Sequence, residues 1–327
     1  MRGLVVGLGS MGKRRIRLMK GFFEGVELCG VDSNEQRRTQ ANELFSLPCF
    51  SSIKEAVAEF KPETAFVCTS PLSHSAIIEE LLSYSLNVFT EINLVTDGYE
   101  KNQSTAKEKG VVLFLSSTPL YRRETQFIEK TVKQTSGALC YRYHVGQYLP
   151  DWHPWENYKD FFVGDKRTNG CREIFAIQLP WLVSSFGKIV KAEAVPMKQT
   201  SLKIDYPDSF FVTLYHEGGT VGQFDVNVVS RKAVTDLEVI GENLYLKWNG
   251  TPKGLSVYDY DKKEDRAIDT YESVTKDSRY AENIIENAYV DELSAFFDAL
   301  KGKAVRRHSF ENDAEILKII DGIEGIE

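Results

Sequence analysis

At 327 residues the chain is long enough for two domains with separate cores, and 42% apolar and 27% charged residues fit a soluble globular protein. Forty basic against 47 acidic side chains give a net charge of −7, which argues against a polyanion-binding surface and so against nucleic acid as a partner. Five scattered cysteines without a C-x-x-C pair, no carboxylate/histidine cluster at metal-ligand spacing, and no apolar run near the roughly 18 residues of a membrane span exclude a disulfide framework, a metal and a membrane from the expectations.

The first strand begins within three residues of Met1, leaving no room for a signal peptide, so a cytoplasmic location is expected. Leu4-Val5-Val6 runs into Gly7-Leu8-Gly9-Ser10-Met11-Gly12, and the helical stretch Lys13 to Met19 follows. A second strand, Val26 to Val31, ends in Asp32. Strand, G-x-G-x-x-G, helix, strand and terminal acid form a dinucleotide-binding fingerprint. Gly7 allows the tight turn, Gly9 the approach of a pyrophosphate, and Gly12 the packing of helix on strand. The pyrophosphate would rest on the helix N-terminus. Asp32 would accept hydrogen bonds from the ribose hydroxyls and repel the 2′-phosphate of NADP. Ser33 follows it, and Arg37 is near enough to soften that preference, so NAD is expected ahead of NADP. The basic cluster Lys13-Arg14-Arg15-Arg17 is read as facing solvent or a cofactor phosphate.

Further on, Ser52-x-x-Glu55 is a capping box opening a helix with Ile53, Ala56, Val57 and Phe60 on one face. Strand Thr64 to Cys68 ends in the turn Thr69-Ser70-Pro71. A helix from about Ser73 to Tyr84, strand Asn87 to Glu91, a helix from Thr96 to about Lys109 and strand Val111 to Ser116 complete the alternation. The pattern predicts a Rossmann-type parallel sheet covered on both faces over residues 1–118. Ligands of such sheets bind at the carboxyl ends of the strands. That rim gathers the glycine loop, Asp32, Thr69 to His74, Glu91 to Asn93 and Ser116 to Arg123.

From about residue 137 the period changes to two. Phe224, Val226 and Val228 alternate with polar residues, and Phe210 to His216, Leu237 to Ile240 and Leu244 to Trp248 read similarly. Residues 119–327 are therefore expected to form an α+β domain with a large, mostly antiparallel, open sheet. An apolar helix from about Glu173 to Phe186 interrupts it. Two more carry Tyr289, Leu293, Phe296, Phe297 and Leu300, then Ile316, Leu317, Ile320 and Ile323.

This ordered set resembles the glucose–fructose oxidoreductase, inositol dehydrogenase and MocA (Gfo/Idh/MocA) family over the whole chain. Thr69-Ser70-Pro71-Leu72-Ser73-His74 is similar to its T-P-x-x-x-H loop, and Asn87-Val88-Phe89-Thr90-Glu91 to its strand leading into E-K-P. Tyr148 to Trp155 resembles a stretch of members working on bacterial surface sugars. The resemblance implies an NAD-dependent oxidoreductase of a sugar, amino sugar or polyol, working as a homodimer or homotetramer through the open sheet. Phe211, Leu214, Tyr215 and Thr220 to Val229 are expected on that face. It also implies cofactor contacts at Thr69, Ser70, Pro71, His74, Glu91 and Ile92.

The chain departs from the family where chemistry is expected. Ile92 replaces the E-K-P lysine that contacts the reacting oxygen. In the second motif, an acid followed four residues on by histidine, Glu173 stands for the acid and Ile177 for the histidine, or Gln178 if the register slips by one. Acid–base help of this kind is worth about 10²- to 10⁴-fold in rate. Glu173, Tyr121, Arg122 and His153 are the candidate replacements, a set that leaves the enzyme assignment leaning to an oxidoreductase with atypical residues. Glu173 and Gln178 project about 140° apart on one helix, so one of them is expected to face the cofactor. His153 also reads as a surface loop histidine. Trp152, Trp155 and Tyr158 suit either a stacking platform for a sugar or closure of a domain interface. Two other readings stand beside the dehydrogenase: a non-catalytic NAD(P)-binding sensor or partner subunit, and a bilin-type reductase.

Overall fold

The computed structural model describes residues 1–153, 156–277, 284–303 and 307–326. The chain divides into two compact units, Met1–Ser117 with Tyr289–Asn312, and Thr118–Ala288 with Asp313–Glu327. Among the described residues no helix is long and apolar enough to cross a membrane.

In the first unit, strands β1 (Arg2–Val6), β2 (Glu27–Val31), β3 (Cys49–Phe50), β4 (Thr64–Val67), β5 (Asn87–Thr90) and β6 (Leu113–Leu115) form one sheet. Its order is β3-β2-β1-β4-β5-β6, parallel throughout. This order reverses direction between β1 and β4, the switch point where doubly wound sheets bind nucleotides. Helices α1 (Ser10–Phe22), α2 (Glu35–Phe45), α3 (Ile53–Phe60), α4 (His74–Ser83) and α5 (Tyr99–Lys109) supply the crossovers. The capping box forms in altered shape. Ser52 accepts from the Glu55 amide, while the Glu55 carboxylate takes the amide of Ser51 rather than that of Ser52. The fifth helix starts three residues later than its pattern suggests, because Gly98 adopts φ +71° and ends a turn closed by Tyr99 N–H on Thr96 O. The two-residue β3, paired with Gly30 and Val31, was too short to read from periodicity.

The second unit holds α6 (Arg123–Gln134) and α7 (Gly170–Phe186). Its strands are β7 (Leu139–Gly146), β8 (Ile189–Met197), β9 (Ser209–His216), β10 (Val221–Asn227), β11 (Val234–Gly241), β12 (Leu244–Trp248), β13 (Leu255–Asp259) and β14 (Glu264–Ala267). They form an eight-stranded sheet in the order β14-β13-β12-β11-β7-β10-β9-β8, antiparallel except for the central β7–β10 pair. Leu139, Tyr141 and Tyr143 alternate inward with Phe224, Val226, Phe210, Val212 and Leu214, while Cys140, Arg142, Phe211 and Val221 point outward. Leu214, expected on the open face, is fully buried on the other one, because its strand's outward residues are Phe211, Thr213 and Tyr215. Val195 and Phe211, paired across β8 and β9, leave apolar surface on the open face.

Helix α8 (Asn287–Leu300) belongs to the first unit apart from its first two residues. Its Phe296 ring lies 5.5 Å from Phe66, 5.5 Å from Phe89 and 5.6 Å from Phe114, so it seals one face of the parallel sheet with aromatic edges. Helix α9 (Phe310–Glu324) buries Ile316, Leu317, Ile320 and Ile323, the apolar stripe seen in its sequence.

Candidate functional site

The first unit's site is built around the β1–α1 loop. Gly7 has φ +93°, and a Cβ there would stand 2.7 Å from the Cys68 carbonyl oxygen. A Cβ on Gly12 would stand 1.9 Å from the Gly7 oxygen, so both positions need glycine for packing alone. Gly9 differs: a Cβ there would meet nothing within 4 Å. Gly9 is also the N-cap of α1, with no side-chain cap and no acid in the first turn. An open cradle in front of an uncapped helix N-terminus fits a pyrophosphate.

Asp32 closes the loop from the neighbouring strand. Its Oδ2 accepts the Leu8 amide at 2.8 Å and its Oδ1 the Asn34 amide at 2.9 Å. A carboxylate has about four acceptor positions, so capacity remains for ribose hydroxyls. Arg37 Nη1 lies 3.8 Å from the same carboxylate and is half exposed, while Ser33 lends its carbonyl to Arg38. Leu8 lies over Gly30, where an added Cβ would come within 2.8 Å of Leu8 Cδ2.

The loops after β4 and β5 are tied together. Thr69 accepts the Ser73 hydroxyl, and Ser70 caps a 3-10 turn begun by Pro71. His74 is buried, with Nδ1 2.6 Å from Asn93 Oδ1 and Nε2 3.0 Å from the Thr69 carbonyl. Burial lowers its pKa. A neutral ring that donates from Nε2 needs the Asn93 amide turned to present its NH2 group to Nδ1.

Glu91 is held still more firmly. Arg15 donates to Glu91 through Nε (2.6 Å) and Nη2 (3.2 Å), and also through Nη2 to Glu292 on α8 (2.7 Å). Glu292 in turn accepts the Ser116 hydroxyl and the Ser117 amide. Burial raises the Glu292 carboxyl against the pull of Arg15. The reading of Arg15 as a solvent or phosphate group is thereby corrected: its guanidinium is wholly buried between two carboxylates. Arg14 is buried too, donating to the Tyr289 hydroxyl. The only sequence signal was position, since Arg15, Leu18 and Met19 share one helix face. Between the pinned Glu91 and Asn93, the Ile92 side chain is left partly exposed.

The second unit's candidates centre on α7. Asn169 caps the helix by accepting the Arg172 amide at 2.8 Å, and Arg172 is anchored to Asp321 and Glu324 of α9. Glu173 follows in the first turn. Its Oε2 is buried without a hydrogen-bond partner among the described residues, and burial raises its pKa to about 8. Glu173 and Ile177 are four residues apart and share a helix face. Gln178 lies on another face, where its Oε1 accepts the Tyr143 hydroxyl and Trp181 Nε1, both at 2.8 Å.

Arg122 forms an ion pair with Glu124, donates to the Gly250 carbonyl at 3.0 Å and lies 4.9 Å over the Trp248 ring. Tyr121 is buried at 5% exposure. His153 pairs with Glu156 within its own loop at 2.6 Å and stacks on Phe161. Of the aromatic trio, Trp152 donates to the Gln147 carbonyl and Tyr158 accepts the Lys203 amide. Trp155 lies outside the described residues.

Residues 1–117 match the model of an oxidoreductase family with an NAD-binding Rossmann fold, and form such a domain. No curated protein matches the sequence. Three solved structures share the architecture. A gentamicin A biosynthesis protein in complex with NAD is 19% identical, with a TM-score of 0.77 over 98% of this chain and 92% of that one. UDP-N-acetylglucosamine 3-dehydrogenase from Acidithiobacillus ferrooxidans is 16% identical, with a TM-score of 0.76 over 99% of this chain and 97% of that one. A levoglucosan dehydrogenase in complex with NADH and levoglucosan is 15% identical, with a TM-score of 0.78 over 99% and 96%. At these identities the likeness is one of fold.

Proposed function

We propose that this chain, whose residues 1–117 match the Gfo/Idh/MocA oxidoreductase family model, is an NAD-dependent oxidoreductase of a sugar, amino sugar or polyol, with Glu173 as its proton-transfer group. The nicotinamide, when bound, supplies hydride transfer. Gly9 and the α1 N-terminus would hold the pyrophosphate, and Asp32 the adenosine ribose. Glu173 would take the hydroxyl proton as the alcohol is oxidised, or return it as the carbonyl is reduced. The observation that carries this is the buried, unpartnered Oε2 of Glu173. Burial disfavours its charged form, and its pKa near 8 suits proton exchange close to neutral pH. The test is turnover of a sugar panel with NAD by the unmodified chain and by Glu173→Gln.

Sugar substrates are supported by the two dehydrogenases of shared fold. Self-association is proposed through the open face of the eight-stranded sheet, where Val195 and Phe211 stand exposed. A second reading, a non-catalytic NAD-binding sensor or partner subunit, draws support from Ile92, which sets a partly exposed aliphatic side chain where the E-K-P resemblance implies a lysine. NAD binding without turnover on any sugar, in either direction, would favour it.

A further inference from the structure

We infer that Gln178 is a specificity-determining residue, a fixed hydrogen-bond donor that reads an acceptor oxygen on the substrate, a hydroxyl or carbonyl of a sugar-like ring. A glutamine amide normally offers an oxygen and an NH2 group interchangeably, because rotation of the terminal torsion swaps them. Here that freedom is removed. Trp181 Nε1–H can only donate, so the atom it meets at 2.8 Å must be the amide oxygen. The Tyr143 hydroxyl donates to the same oxygen at 2.8 Å.

Both donors are themselves immobilised. Tyr143 stacks on Phe224 with ring centroids 5.2 Å apart and meets the edge of Trp181 at 5.4 Å. Trp181 packs edge-on against Trp248 at 6.0 Å. Both rings are almost fully buried, whereas Gln178 is half-buried. With its oxygen taken by two donors inside the unit, the amide keeps both Nε2 hydrogens, for which the described residues supply no acceptor.

A preorganised donor pair of this kind selects ligands by chemistry. It favours an oxygen acceptor and penalises a ligand that leaves the NH2 group covered and unpaired. Having no titratable group, Gln178 cannot move a proton. Five residues from Glu173 on the same helix, it projects about 140° away from it, so it would read a substrate oxygen other than the one at which Glu173 exchanges its proton. This inference rests on the oxidoreductase reading for the identity of the ligand, and on the unit's own geometry for the direction of the amide.

The test uses the full chain with NAD and three probes: glucose, N-acetylglucosamine and UDP-N-acetylglucosamine, each followed by binding titration as well as turnover. Gln178→Glu keeps an acceptor for Tyr143 and Trp181 but removes the donors. KM or Kd for the best probe should rise about tenfold or more, kcat should stay within about threefold, and affinity for NAD should be unchanged. One deoxy analogue of that probe should bind the unmodified chain worse than the parent does, and Gln178→Glu should abolish the difference. If Gln178→Glu misfolds, Gln178→Met reads the same two quantities at similar side-chain volume. Sugar affinity and deoxy discrimination that survive these substitutions would overturn the assignment and leave Gln178 a structural acceptor. Absent turnover with retained binding would count against the oxidoreductase reading alone. No binding of any probe would overturn both.

Discussion

Arg15 Nε lies 2.6 Å from Glu91 Oε1, joining the helix that begins at the cofactor loop to the end of the fifth strand inside the first unit. The same guanidinium reaches Glu292, 277 residues away in sequence. Removing it would leave two buried carboxylates without their cation. Arg15→Leu should therefore cost about 3–5 kcal/mol of stability, read by chemical denaturation. Loss below about 1 kcal/mol would mean that the network is solvated in solution.

The three fingerprint glycines should separate by role. Gly9→Val adds a side chain where nothing lies within 4 Å, so the variant should fold with an unchanged melting temperature and fail to bind NAD by calorimetry. Gly12→Ala drives a Cβ to 1.9 Å from the Gly7 carbonyl oxygen and should lose stability as well as binding. Normal NAD affinity in folded Gly9→Val would remove the pyrophosphate assignment.

Asp32 links preference to loop geometry. Its carboxylate holds the Leu8 amide and would repel a 2′-phosphate, so Asp32→Ala should weaken NAD binding and narrow the gap to NADP. Fluorescence titration of both reduced cofactors reads the ratio. Tighter NADP than NAD binding by the unmodified chain would contradict the expected preference.

Ile92 stands between two anchored neighbours, so Ile92→Lys should be accepted by the loop with little displacement. The new ammonium would offer a proton donor where the E-K-P resemblance implies a lysine. Turnover of a sugar or polyol should rise, by less than the roughly 10²- to 10⁴-fold of a full acid–base group while Ile177 remains. An unchanged rate with normal NAD binding would support the sensor reading instead.

Stability should carry the signature of Glu173. Its folded pKa, near 8, exceeds the roughly 4.3 of an unfolded glutamate. The folded state thus binds the extra proton between those values, and the associated stability is present below about pH 4 and lost as pH rises through 8. Glu173→Gln should gain on the unmodified chain by about 1 kcal/mol or more between pH 5 and pH 9, measured by urea denaturation at each pH. Parallel stability curves would mean that the carboxyl is hydrated.

Much of the first unit was legible because its signals are local. Glycine spacing, short apolar runs and an acid at a strand end each act over a few residues, and Gly7, Gly12 and Asp32 take the backbone positions that their chemistry suggests. What escaped depends on distant partners. Nothing near Arg15 announces Glu292, and the alternation of Phe210 to His216 gives a period without saying which phase faces inward, hence the misplaced Leu214. The lock on Gln178 was equally hidden, since Tyr143 comes from a strand 35 residues earlier.

The most direct test of the account is the pH dependence of turnover in both directions, with NAD at saturation, for the unmodified chain and Glu173→Gln. Sugar oxidation should rise to a plateau above about pH 8 as the carboxylate forms, and carbonyl reduction should fall over the same range. Glu173→Gln should lose about 10²-fold or more in kcat and both pH limbs, while binding NAD normally. A glutamine variant with full turnover and an unaltered pH profile would contradict the assignment of Glu173 as the proton-transfer group.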